Sequence, residues 1–155
     1  MHKALVVLVL TLTASVASAQ EPKWLVRLQG GSATIHDWEA SGFWAQALVG
    51  RSFARGVLSA DLGPALSGAG QGYLSLTAGL EALPFPKAVV SPFARAELGL
   101  LVEGDGEYGG YVAGAGGGLL VRLNDRLALR GGASWGVHGD VEGPIVYYGG
   151  LQVRW

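Results

Sequence analysis

From Trp24 onward, apolar residues in this chain recur at every second position, not in long runs or at helical spacing, and that period of two predicts strands with one uncharged face. Trp24, Val26 and Leu28 alternate with Leu25, Arg27 and Gln29, and Phe43, Ala45, Ala47 and Val49 with Trp44, Gln46 and Leu48. Leu58, Ala60 and Leu62 face away from Ser59 and Asp61. The cleanest alternation sets Leu74, Leu76, Ala78, Leu80 and Ala82 against Tyr73, Ser75, Thr77, Gly79 and Glu81. Further segments place Ala94, Ala96, Leu98, Leu100 and Val102 opposite Phe93, Arg95, Glu97 and Gly99. Next, Ala113, Ala115, Leu119, Val121 and Leu123 lie opposite Gly114, Gly116, Gly118 and Arg122. Leu127, Leu129, Ala133 and Trp135 oppose Arg126, Arg130 and Ser134, and the last segment puts Ile145, Tyr147, Gly149, Leu151, Val153 and Trp155 opposite Tyr148, Gln152 and Arg154. Eight such segments of about ten residues have the length a tilted transmembrane strand needs. Pro64 and Pro92 are expected near strand ends, where a missing backbone donor is tolerated.

Composition changes what the apolar faces mean. Charged residues are 15% of the chain, against about 25% in an ordinary soluble domain. After Lys3 only Lys23 and Lys87 remain as lysines, so there is little charge to cover a water-facing surface. At the N-terminus, Met1-His2-Lys3 precedes an apolar run from Ala4 to Leu12, and Ala17-Ser18-Ala19 precedes Gln20. That order predicts a secretory signal peptide over 1–19, cut after Ala19, with a mature domain over 20–155. The apolar run is too short to cross a bilayer as a helix. The chain has no cysteine, so export is not accompanied by disulfide staples.

Charge sorts by connection. With the N-terminus in the periplasm, the odd connections face outward, and outer-membrane barrels keep their longer loops there. Thr34 to Gly42, Glu103 to Gly110 and His138 to Gly143 carry Asp37, Glu39, Glu103, Asp105, Glu107, Asp140 and Glu142 and no lysine or arginine. The even connections carry Arg51, Arg55, Lys87 and Arg126, with Asp125 their one acid. Trp24 and Trp155 are expected at the periplasmic rim, and Phe43, Tyr111, Trp135 and Tyr147 at the outer rim, as interfacial girdles.

An aromatic last residue preceded by alternating apolar positions, here Tyr147, Leu151, Val153 and Trp155, resembles the assembly signal of bacterial outer-membrane β-barrels. With the signal peptide and the strand count, the chain resembles the small eight-stranded outer-membrane barrels of the OmpA and OmpX type. The resemblance implies an all-β fold: a closed eight-stranded antiparallel up-and-down transmembrane barrel, inserted by the barrel assembly machinery and in contact with outer-membrane lipid and lipopolysaccharide. A monomer is expected, with no cofactor and no resident metal.

Eight strands enclose a lumen just wide enough for side chains to fill. The inward faces would hold Arg27, Asp61, Glu81, Arg95, Glu97, Arg122, Arg130 and Arg154, with Gln29, Gln46, Ser75, Thr77 and Gln152. Buried charges need partners, so these residues are expected to form one arginine–carboxylate network that plugs the lumen, not an open pore. The expected role is structural or interactive.

Other chemistry fares less well. Some barrels of this size are lipid A-modifying enzymes that use a histidine base with a serine. His138 and Ser134 are four apart, roughly 13 Å along a strand, which is too far for direct pairing. The His-x-Ser arrangement of the deacylase barrels is absent; His36, beside Asp37, could reach His138 or a serine only across loops. Asp37, Glu39, Asp140 and Glu142 would neighbour one another once the first and last strands pair, forming a negative rim able to hold a hard cation or bridge to lipopolysaccharide. Gly114 to Gly118 lies inside a strand pattern and lacks a following Lys-Ser or Lys-Thr, so it is no phosphate loop. A formal net charge of −1 without a basic patch points away from nucleic acid. One soluble alternative is a lipocalin-like cup with its apolar face turned inward around a hydrophobic ligand.

Overall fold

In the computed structural model, which describes residues 23–35, 40–68, 73–102, 108–138 and 141–155, every alternating segment is a strand. They are β1 (Lys23–Ile35), β2 (Ala40–Phe53), β3 (Leu58–Ser67), β4 (Tyr73–Ala82), β5 (Val90–Val102), β6 (Tyr108–Arg122), β7 (Leu127–His138) and β8 (Val141–Arg154). Each pairs antiparallel with the next, and β8 pairs with β1, closing the barrel. The closing seam runs from Leu25 opposite Arg154 to Thr34 opposite Ile145. It is finished by reciprocal backbone hydrogen bonds of 3.1 Å between Trp24 and Trp155. Closure leaves no sheet edge unpaired. The segment 1–19 lies outside the described residues.

The faces divide as the period of two requires. Phe43, Leu98 and Trp155 point outward and are 62%, 67% and 60% exposed, whereas Arg27 and Glu81 point inward and are 0% and 1% exposed. All six girdle aromatics, Trp24, Phe43, Tyr111, Trp135, Tyr147 and Trp155, are on the outer face. A largely apolar outer surface around an interior that holds the buried charges is the reverse of a ligand-binding cup, so the lipocalin-like alternative is overturned. The assembly-signal residues Tyr147, Leu151 and Val153 share the outer face with Trp155.

Three expectations are corrected. β4 spans Tyr73–Ala82 as read, but other strands run past their apolar segments, to fifteen residues in β6. Backbone pairing continues through polar and glycine-rich ends that carry no alternation, so the loops are shorter than the wide spans read from sequence: β7 and β8 are separated only by residues 139–140. Arg51 belongs to β2, where its guanidinium lies 4.7 Å from the centre of the Trp24 ring. Pro64 sits inside β3, not near its end. The strand tolerates it because the β2–β3 ladder is interrupted there: Gln46–Ala65 and Val49–Leu62 flank residues with no partner on β2. Pro64 pairs on its other side with Leu76 of β4. Pro92, third in β5, is near a strand end as expected.

Leu76, in the middle of the outer face of β4 and half exposed, gives a direct check on the outward surface. Leu76→Arg should lower the unfolding free energy in lipid vesicles by about 2–4 kcal/mol, the cost of a cation near the bilayer midplane. Urea titration followed by tryptophan fluorescence measures it. A change near zero would show that this face does not meet hydrocarbon.

Candidate functional site: the charged lumen

Inward positions on six strands converge on one cluster. Arg27 of β1 donates from Nη1 to Asp61 of β3, from Nη2 to Glu81 Oε1 of β4 at 2.6 Å and to Ser59 Oγ at 2.8 Å, and from Nε to Gln152 Oε1 of β8 at 2.9 Å. Arg95 of β5 makes a two-pronged contact with Asp61, at 2.8 and 2.7 Å. Its Nε also reaches Glu97 at 3.3 Å. Arg130 of β7 donates to Glu81 Oε2 at 2.6 Å and to Gln152 at 3.4 Å, and lies 4.3 Å from the centre of the Phe93 ring. Three guanidinium groups thus meet three carboxylates, and the cluster carries no net charge.

Removing such ions from water is expensive, and mutual attraction offsets the cost only where the remaining donors and acceptors are also met. Ser59 and Gln152 do this for Arg27. Beyond the ions, Gln29 donates to Gln46, Gln46 to Thr77, and the Thr77 hydroxyl to the carbonyl of Gly63. Towards the loop end, Trp44 and Tyr148 meet with ring centroids 5.6 Å apart. Both pair with Gly31 of β1, one from each side, and a side chain on Gly31 would run into the backbone of Tyr147 and Tyr148.

Of the eight residues expected in the network, the structure brings together Arg27, Asp61, Glu81, Arg95, Glu97 and Arg130. Arg122 and Arg154 are corrected: they face inward but end β6 and β8 at the turn side. Among the described residues no ion pair includes either of them. Facing direction was readable from alternation, but depth along the lumen depends on barrel stagger, which no single strand reveals. Of the acidic rim, Asp37, Glu39 and Asp140 lie outside the described residues, as does His36. For Glu142 and His138 the backbone alone is described, Glu142 opposite Val137 and His138 opposite Val141. Ser134 faces the lumen and lines a small cavity with Gln29, Gln46, Arg95 and Glu97.

Sequence reasoning passed over Gly79. It faces inward on β4, and a Cβ there would overlap the Arg95 guanidinium as it reaches for Asp61. A glycine at an inward strand position beside an arginine's neighbours is the signal that could have found it.

No known family model matches the chain. No curated protein matches it in sequence either. Solved structures do match in shape. Neisserial surface protein A superposes with a TM-score of 0.71 at 14% identity, covering 88% of this chain and 100% of that one. The N-terminal β-barrel domain of Pseudomonas aeruginosa OprF gives 0.67 at 12% identity, covering 87% and 100%. The de novo designed TMB2.3 gives 0.53 at 13%, covering 88% and 98%.

Arg27 is the hub of the cluster, so its loss has a defined consequence. Arg27→Met removes the cation from Asp61 and Glu81 and should destabilise the barrel by about 3–5 kcal/mol, the cost of breaking a buried ion pair from one side. Equilibrium unfolding in detergent micelles checks this. Gly79→Leu should displace Arg95 from Asp61 and cost about 1–3 kcal/mol by overpacking. By architecture the chain is a small eight-stranded barrel of the kind found in these bacterial outer-membrane proteins.

Proposed function

We propose that the protein is a structural or interaction component of the bacterial outer membrane, with a closed lumen and no transport or catalytic role. The observation that carries this is the inverted polarity: an apolar belt outside and a charge-balanced cluster spanning β1, β3, β4, β5, β7 and β8 inside. A belt of this kind has no stable home in water, and antiparallel closure leaves no strand edge for hydrocarbon to strip of partners. The cavities bordering the cluster amount to about 10 and 30 Å³, room for a water molecule or so. They are too small for a hydrated ion to pass without breaking salt bridges.

On this proposal residues 1–19 direct export and are removed. Tyr147, Leu151, Val153 and Trp155 engage the barrel assembly machinery, and the mature chain sits as a monomer among outer-membrane lipid and lipopolysaccharide. Asp37, Glu39, Asp140 and Glu142 form its negative outer rim, and the contacts it makes are through that rim. Catalysis on lipid A is the less favoured reading, because Ser134, the serine nearest His138 on its strand, faces into the lumen.

Two measurements test the proposal. Fractionated cells should hold the protein in the outer membrane, with an unboiled gel band that migrates as a compact form and shifts on boiling. Planar bilayers containing the refolded protein should show no stepwise current in potassium chloride. Recovery as a soluble periplasmic protein would overturn the membrane assignment; stable unitary steps would overturn the closed lumen.

A further inference from the structure

The central cluster pairs each of its arginines with carboxylates, and the same barrel leaves two inward arginines unpaired at its turn end. Arg122 and Arg154 open onto a cavity of about 530 Å³, lined also by Lys23, Arg55, Lys87 and Asp125. Five cations therefore meet one carboxylate among the described residues that line it. No ion pair joins Asp125 to either arginine, and the buried Nε of Arg154 has no hydrogen-bond partner.

We propose that this turn-side mouth is a binding site for a phosphate-bearing anion. Rim cations without a ligand have an easy alternative in this fold. Arg51 turns outward onto Trp24, and Arg126 is exposed beside the β6–β7 turn. Arg122 and Arg154 are instead partly buried at a cavity that Lys23, Arg55 and Lys87 also line, and like charges gathered there repel unless an anion sits among them. Two guanidinium forks suit the tetrahedral oxygens of phosphate, and Lys23 and Lys87 add mobile point charges. The excess of cations calls for a ligand with more than one negative charge.

The connection between β2 and β3 is shaped for the same cavity. Ala54 and Arg55 hold φ of 48° and 58°, a left-handed conformation that non-glycine residues rarely adopt, and Gly56 follows at 88°. Such backbone costs of order 1–3 kcal/mol per residue and persists where surrounding structure imposes it. Here the tight turn between β2 and β3 requires it, and Ala54, Arg55 and Gly56 line the cavity. A Cβ on Gly56 would stand 3.4 Å from Pro86 and 3.9 Å from Arg154 Nη1, so the turn packs closely on the β4–β5 connection and on the unpaired arginine.

The test is calorimetric titration of inorganic pyrophosphate into the folded, full-length mature protein in neutral detergent at low ionic strength. Saturable single-site binding is expected, weakening as salt is added. Arg122→Gln/Arg154→Gln should raise Kd by at least about tenfold, or 1.4 kcal/mol. The heat-modifiable band reports whether that variant folds. If it does not, Arg55→Gln/Lys87→Gln, in the connections outside the barrel wall, should raise Kd several-fold. Failure of the wild type to bind, or an unchanged Kd in a folded variant, would overturn the proposal. Doping the micelles with cardiolipin, a lipid that carries two phosphates, then separates the sources. Competition with pyrophosphate identifies a lipid headgroup as the ligand, and its absence identifies a soluble phosphate compound; both support the site.

Discussion

Closure of β8 onto β1 is the constraint from which the rest follows. A sheet with a broad apolar outer belt cannot leave an edge in hydrocarbon, where an unpaired backbone donor finds nothing to accept it. The seam is paired along ten positions of each strand and finished by the bonds between Trp24 and Trp155. Closing after eight strands fixes a narrow lumen, and a narrow lumen must be filled. Because the period of two sends every second residue inward, the polar half of each strand is delivered to that space whether or not it is comfortable there. Charges so delivered must balance.

The way they balance ties distant strands together. Arg27 contacts Ser59 and Asp61 on β3, Glu81 on β4 and Gln152 on β8 through one guanidinium. A slip of one residue in any of these strands would turn its whole inward set outward, stripping Arg27 of a partner and exposing an ion to the apolar side. Buried ion pairs add little net stability over a packed apolar core. Their contribution here is selectivity: alternative registers carry the penalty of unpaired charge, and the native one does not. Gly79 belongs to the same device, since the room it leaves is the room Arg95 needs to reach Asp61.

Much of this was legible in the chain because alternation states facing directly. Trp24, Arg27, Leu76, Glu81 and Leu98 all point where the period of two puts them, and strand number and order followed. What the pattern did not hold was anything that depends on neighbours. Strand ends were missed because pairing persists past the apolar segments, as at His138 and Val141. Pro64 was misjudged because the gap that accommodates it lies in the β2 ladder. Arg122 and Arg154 were grouped with the buried arginines because facing inward is a property of one strand, whereas depth is a property of eight.

That last distinction separates the two ends of the interior physically. At the centre each guanidinium is matched by carboxylate oxygens at hydrogen-bond distance, so the chain itself supplies neutrality. At the turn end the walls supply cations in excess, and solvent or solute must supply the rest. A barrel needs only the first arrangement to stand. Chemistry with the surroundings requires groups whose charge the fold leaves unmet, and among the described residues those groups collect where β6, β8 and the β2–β3 turn come together.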